Sequence, residues 1–489
     1  MSRLDNSLRN VTYNLIGIIV SYLVTFISRR VFLTYLSIQY LGLDSLFVNL
    51  MSMLSLADLG IGTAIAYSLY KPLATNDVTK ISALMGFFRK AYVVIGTTIL
   101  IAGFSLTPLL PTLFKELPEV PRLNMIYWLY VIHASISYFL SYKRTLLIAD
   151  QKRYVEAFYQ YLFLSIKHLI QILVIIMSQN FIFFLIVMVV MTVLENISIS
   201  LKVNSLYPFM KKFGRVFLEK KEKTIVQKNM YAISLQKIGT FLVEGTDNLL
   251  IVLFVNLNTA GLYANYLLVR KALNRLYQIL FSSIIASIGN LHEEKPIEAS
   301  RLAFFQLNFI AAWIMGLSAI TLQLVLNLFI SIWIGEEYIF KNLIVFVIVF
   351  NYYLRGMRQP VLTFRDSLGL FWFDRYKSLF EAIVNLTVSI VLVQRIGFIG
   401  ILIGTTVSTL SVCAWVEPFI LFKHGLFLPL STYFRKTSTY VVVTALAGFF
   451  TFFILQLFSF QLMIVDLFYR LLVCLIIPNA IFILLYRKP

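Results

Sequence analysis

Apolar runs of about twenty residues, separated by short polar or charged connections, recur from one end of the chain to the other. A helix needs about 20 predominantly apolar residues to cross a bilayer core. About fourteen such runs can be drawn, centred near residues 22, 54, 101, 133, 166, 191, 243, 272, 317, 347, 386, 408, 448 and 473. The second is bracketed by Gly42 and Asp58, and the eighth is interrupted by charge, so these two are the least regular. The pattern predicts an all-α polytopic membrane protein. The first run is too long for a signal-peptide core, lacks a small-residue cleavage site after it, and is expected to stay as the first span.

Composition agrees. Hydrophobic residues are 59% of 489 and charged residues only 13%, against about 25% charged in soluble domains. The net charge of +19 would suggest nucleic acid in a soluble chain. Here it reads as topology, because Lys and Arg gather in cytoplasmic loops and draw anionic headgroups. With the N-terminus inside, KPLATNDVTK, KRTLLIADQKRY, KKFGRVFLEKKEKTIVQK, RGMRQPVLTFRDSLGLFWFDRYK and FRK all fall on the cytoplasmic face. Roughly thirty of the 42 Lys and Arg then lie inside and about four outside. Both termini are expected in the cytoplasm, and nucleic acid is not an expected partner.

The longest polar stretch, around 204–229, separates six runs from eight. An echo supports that division. Leu41-Gly42-Leu43 follows the first run and Ala260-Gly261-Leu262 the seventh, 219 residues later. Two six-helix units would share one orientation and be related by an axis along the membrane normal. The expected divisions are 1–215, 216–425 and a C-terminal helix pair, 426–489.

Within the apolar runs stand Arg29, Arg30, Lys167, Lys237, Arg270, Lys271 and Arg275. At roughly 3 kcal/mol each at the bilayer centre, seven lipid-facing cations would cost on the order of 20 kcal/mol. That exceeds the whole stability of a typical domain, about 5–15 kcal/mol. Helical spacing offers another direction. Asn14, Ser21, Thr25 and Ser28 form one stripe that Arg29 extends; Gln160, Lys167 and Gln171 form another; Lys237, Glu244 and Asn248 a third; Lys271 and Arg275 lie a turn apart. These faces are expected to turn toward a wet, cationic hollow shared by the two halves. The acids Glu195, Glu244 and Asp247 could couple transport to protons or sodium, or pair with the cations. Snorkelling of Arg29 and Arg30 to the interface is the bland alternative.

Catalytic chemistry is poorly served. The two cysteines lie in apolar runs and the four histidines lack ligand spacing, so neither a metal site nor a resident cofactor is expected. The outer connections are short, and KELPEVPR (115–122) offers no acid–base or metal constellation. A membrane polymerase or ligase is therefore disfavoured. A cationic hollow among 43 Phe and 27 Tyr suits an anion with a polar body and an apolar tail: a phosphate head for Arg and Lys, sugars against tyrosines, a tail left in lipid.

Two segments carry a family likeness: YLGLDSLFVNLMSMLSLADLGIGTAIAYSLYKPL (40–73) and TDNLLIVLFVNLNTAGLYANYLLVRK (246–271). With the basic-then-apolar opening, they resemble Wzx-type polysaccharide flippases of the multidrug/oligosaccharidyl-lipid/polysaccharide exporter superfamily. The resemblance implies two six-helix lobes in a V plus two C-terminal helices, in a bacterial cytoplasmic membrane. It implies flipping of undecaprenyl-diphosphate-linked oligosaccharide for O-antigen, capsule or exopolysaccharide. A polymerase and a chain-length regulator would be partners besides membrane lipids. Related peptidoglycan-precursor flippases place basic residues on the first and eighth spans, where Arg29/Arg30 and Arg270/Lys271 stand here. A cation-coupled drug antiporter of the same superfamily is the alternative; it needs carboxylates on the first span, which has arginines.

Overall fold

A helix in hydrocarbon satisfies every internal backbone group by itself, and the apolar runs of this chain fold accordingly. The computed structural model describes residues 3–55, 68–69, 72–73, 75–113, 121–139, 141–150, 152–211, 245–370, 373, 376–458 and 460–486. Among these the protein is helical throughout. Contacts divide the chain into two compact units, Met1–Gly261 and Leu262–Pro489.

The first unit contains α1 (Arg3–Tyr35), α2 (Ile38–Leu54), α3 (Val78–Leu106), α4 (Leu123–Phe139), α5 (Tyr142–Ala149), α6 (Arg153–Ser178), α7 (Phe181–Leu206) and α8 (Gly245–Phe254). Here α1 lies along α6, α3 along α4, and α7 packs on both α4 and α6. Short polar caps set the helix ends. Asp77 accepts from Lys80 N at 2.9 Å to start α3, and Asn180 accepts from Ile182 N at 2.9 Å to start α7. The core between them is aromatic: Phe47 packs edge-on against Tyr127, and Phe32 meets Phe181 and Phe184.

The second unit takes most of α9 (Leu257–Ser283), then α10 (Ile285–Glu294), α11 (Ile297–Trp333), α12 (Asn342–Met357), α13 (Gln359–Ser367), α14 (Lys377–Ile396), α15 (Phe398–Ser408), α16 (Ala414–Leu421), α17 (Leu430–Leu455) and α18 (Met463–Tyr486). The 37-residue α11 is its axis and touches α12, α17 and α18. Phe304, Val361, Phe364, Leu421, Phe422 and Tyr433 form one buried cluster at one end of it. Val325, Leu455, Val473 and Cys474 form another.

Nine helices among the described residues are long and apolar enough to span a bilayer. The other five expected runs fall on shorter, bent or more polar elements. These are α2 with 17 residues, the pair α4/α5 bent by 47°, α8 with part of its run outside the described residues, α9, and α12 with 16 residues. Exposed side chains such as Leu173, Val442, Phe450, Leu472 and Leu475 clothe the outside. In water that surface would be an aggregation hazard; against acyl chains it is solvated.

The echoed glycines meet in a reciprocal contact inside the first unit. A Cβ at Gly42 would strike the carbonyl oxygen of Leu257, and one at Gly261 would lie 2.6 Å from the carbonyl oxygen of Ile38. Residues 38 and 42 are each 219 positions before 257 and 261, so each glycine receives the backbone of the other's helix one turn before it. Reciprocity of that kind is what a two-fold relation between equivalent segments produces. Only hydrogen fits at either crossing. Gly42→Ala and Gly261→Ala should each cost roughly 1–3 kcal/mol through overpacking, read as a lower melting temperature of the purified protein, whereas Gly369→Ala, with nothing within 4 Å of the added Cβ, tests only its positive φ.

Candidate functional site

Charged groups inside an apolar fold must find a partner or water, and tracing those partners locates two polar centres, one in each unit.

In the first unit the polar stripe of α1 faces α6. Thr25 Oγ1 lies 3.4 Å from His168 Nε2, and Ser28 Oγ 3.2 Å from His168 Nδ1. Ser21 and Ser28 are buried. Arg29 continues the stripe, half-buried, with Asp44 and Tyr130 as its electrostatic neighbours. Tyr130 donates to Asp44 Oδ1 at 2.5 Å. Arg30 points elsewhere and is exposed.

Lys167, on α6, has Glu195 and Asp44 as its acidic neighbours and His133 and His168 beside it. Glu195 itself is held by Arg144 at 2.8 Å. The same guanidinium group donates to Asn196 Oδ1 at 2.6 Å and lies 4.0 Å from Glu156. Around these groups is a cavity of about 310 Å³, lined by His133, Arg144, Gln160, Phe163, Lys167 and Glu195 among others. Gln171, the third member of the α6 stripe, is buried and donates to Phe184 O at 3.1 Å instead.

The second unit holds a denser centre. Glu417 has no exposed surface and lies between two π-helical turns, Thr409–Cys413 and Phe422–Leu426, with Pro418 after it. Such turns open the regular ladder and often mark functional positions. Arg358, between α12 and α13, grips Glu417 with both arms, Nε to Oε2 at 2.9 Å and Nη2 to Oε1 at 2.7 Å. Lys377 Nζ bonds the same carboxylate, and Arg358 Nη1 reaches Glu381 at 3.5 Å. One carboxylate thus ties α14 and α16 to the α12/α13 junction.

The remaining predicted residues are scattered in environment. Arg270 is half-buried beside Tyr352, while Lys271 and Arg275 are exposed on the same helix. Asp247 is half-buried on α8. Lys237 and Glu244 lie outside the described residues. Within the first unit, therefore, the structure gathers Arg29, Lys167 and Glu195 into one network.

Sequence reading missed Asp44, Arg144, Arg358, Lys377, Glu381 and Glu417. Two of these had a signal. Asp44 stands two residues after the echoed Gly42, and Glu417 interrupts the apolar run VCAWVEPFILF. Arg144, Arg358, Lys377 and Glu381 had none, because they sit in or beside basic stretches that look like ordinary cytoplasmic loops.

No family model and no curated protein sequence matches the chain. Solved structures do. The lipid II flippase MurJ, in an inward closed conformation, aligns with a TM-score of 0.69 at 13% identity, covering 98% of this chain and 99% of that one. An inward-facing multidrug-resistance MATE transporter of the MOP superfamily gives 0.60 at 15% identity, over 87% and 96%. A Vibrio cholerae MATE transporter gives 0.56 at 12%, over 87% and 99%. The chain has the fold of these membrane transporters.

Removing one partner of a buried ion pair leaves a bare charge and costs roughly 3–5 kcal/mol, while an exposed pair is worth about 0–1 kcal/mol. Glu417→Ala should therefore lower the melting temperature far more than Asp466→Ala, which removes the partner of the half-exposed Arg470. Equal shifts for the two variants would contradict the burial argument.

Proposed function

We propose that the protein is a flippase that carries undecaprenyl-diphosphate-linked oligosaccharides across a bacterial cytoplasmic membrane by alternating access. The observation that carries this reading is the near-complete alignment with a lipid-linked-substrate flippase. Coverage is 98% of the chain, against 87% for the multidrug transporter.

The diphosphate falls to cations at or near the surface. Arg30, Lys271 and Arg275 are exposed and Arg270 is half-buried, and guanidinium groups match phosphate oxygens in bidentate geometry. Lys237 is assigned the same role on its helical stripe. Arg29 and Lys167 lie beside carboxylates and set the field rather than grip the headgroup. Moving two negative charges outward through 100 mV, inside negative, is favourable by about 4.6 kcal/mol, so the membrane potential drives export in the required direction. Asp247, Glu244 and Glu195 remain the groups for any proton or sodium coupling. The surface product is an O-antigen, a capsule or an exopolysaccharide, made with a polymerase and a chain-length regulator.

Arg270→Gln and Lys271→Gln should each reduce surface polymer in the source bacterium at least about tenfold, the worth of one lost charge-assisted hydrogen bond, with protein level unchanged. Normal polymer from both variants overturns the flippase reading. Carboxylate-dependent dye efflux with normal polymer would favour the drug-antiporter reading.

A further inference from the structure

From the cavity of the first unit we infer a second substrate subsite: the hollow between α4, α5, α6 and α7 receives one sugar ring of the oligosaccharide. This inference rests on the flippase reading and adds to it a place for the uncharged part of the substrate.

Size comes first. About 310 Å³ is the space of roughly ten water molecules, and it lies at the lower end of the roughly 300–1,000 Å³ typical of small-ligand sites. A diphosphate with its sugars and lipid cannot enter whole. A single pyranose ring can.

Charge then excludes the headgroup. Arg144 is already engaged by Glu195 at 2.8 Å and Asn196 at 2.6 Å, with Glu156 at 4.0 Å. Lys167 has Glu195 and Asp44 as acidic neighbours. Arg144 is thus matched by carboxylates and Lys167 lies in the field of two more distant ones, so an entering diphosphate would meet those carboxylates as well. A neutral polyol meets no such conflict.

Hydrogen-bonding capacity remains unspent. Among the described residues, no hydrogen bond is made by the Lys167 ammonium or the Gln160 amide, and the Nε of Arg144 is buried without a partner. His133 uses one ring nitrogen on Thr192 at 3.1 Å and keeps the other. Together with the Glu195 carboxylate, these groups present donors and acceptors side by side, which is what vicinal hydroxyls require. Lys167 accordingly serves sugar hydroxyls, not the diphosphate.

One wall is aromatic. Phe163 lines the cavity and stacks with Tyr159 at 6.5 Å and 19°. Tyr159 in turn meets Phe158, and Phe158 meets Tyr13 of α1. The flat face of a pyranose, with its axial C–H bonds, packs on such a ring while its hydroxyls turn to the polar side. Ordered water alone would satisfy the polar groups but gives Phe163 nothing to do.

The test is saturation-transfer NMR on the full-length protein in nanodiscs, with a panel of free hexoses, N-acetylhexosamines, 6-deoxyhexoses and hexuronates as probes. At least one class should receive saturation, and its affinity should fall about tenfold in Gln160→Leu and in Lys167→Met, each having lost one good hydrogen bond. Gln160→Trp, which fills the space, should abolish the signal. Gln160 is exposed and makes no bond within the described chain, so its variants should keep the parent melting temperature. Saturation of none of the panel, or saturation that survives all three variants, overturns the inference. Failure here leaves the flippase reading standing if Arg270→Gln and Lys271→Gln still abolish polymer. Normal polymer in those two variants with sugar binding lost in Gln160→Leu leaves the subsite standing without the flippase.

Discussion

Carrying an ionised side chain into a low-dielectric interior is expensive unless a counter-charge, a hydrogen-bond partner or water comes with it, and this constraint arranges both units. The apolar runs decide only that helices form and that their outsides meet lipid. Which helix rotates which face inward is decided by about a dozen charges. Arg144 with Glu195, Tyr130 with Asp44, Arg358 with Glu417, and Arg470 with Asp466 each fix one helix against another or against its own preceding turn.

The two units meet the constraint differently. In the second, Arg358 and Lys377 converge on Glu417, which has no exposed surface, and Arg358 also reaches Glu381; the result is a packed knot with π-helical turns on both sides. In the first, charges of both signs surround a hollow and leave several polar atoms unspent. A dry knot holds geometry, because breaking it exposes a bare charge. A wet hollow admits a ligand, because water in it can be exchanged for hydroxyls at little cost. The same physical rule therefore yields a clamp in one unit and a chamber in the other.

Much of the fold was legible in the sequence because hydrophobic run length is a one-dimensional property. All but one of the fourteen centres fall on described helices, and the exception, near residue 243, lies outside the described residues. The departures have simple causes. α9 carries Arg270, Lys271 and Arg275, so its mean hydropathy is too low to register as a span; α4 and α5 are bent by 47°. The site was less legible. Stripes give the side of a helix, but they do not say what that side meets: in the α1 stripe Thr25 and Ser28 meet His168 within their own unit, and Ser21 bonds the carbonyl of Ile18. Counting seven cations against three acids also overstated the excess, since Asp44 is only visible as a counter-charge once α2 is folded beside α1 and α4. Arg358 and Glu417 are 59 residues apart, and no periodicity links them.

The distribution of exposed and matched cations bears on how a substrate with a charged head and neutral sugars could be handled at all. A site made only of open cations would hold the diphosphate tightly in every conformation, and uniform binding slows release as much as it aids capture. Dividing the task avoids that trap. On the proposed reading, exposed groups such as Lys271 and Arg275 would engage the head through solvent-screened contacts that can be broken. The hollow of the first unit would recognise a sugar through short-range hydrogen bonds and ring contact, which vanish once the ring moves by an ångström or two. Selectivity would then reside in the neutral part of the substrate and electrical driving force in the charged part. A chain with this separation would change the sugar it carries by altering a few hollow-lining side chains, such as Gln160 or Phe163, while the cations that meet the charged head stay as they are.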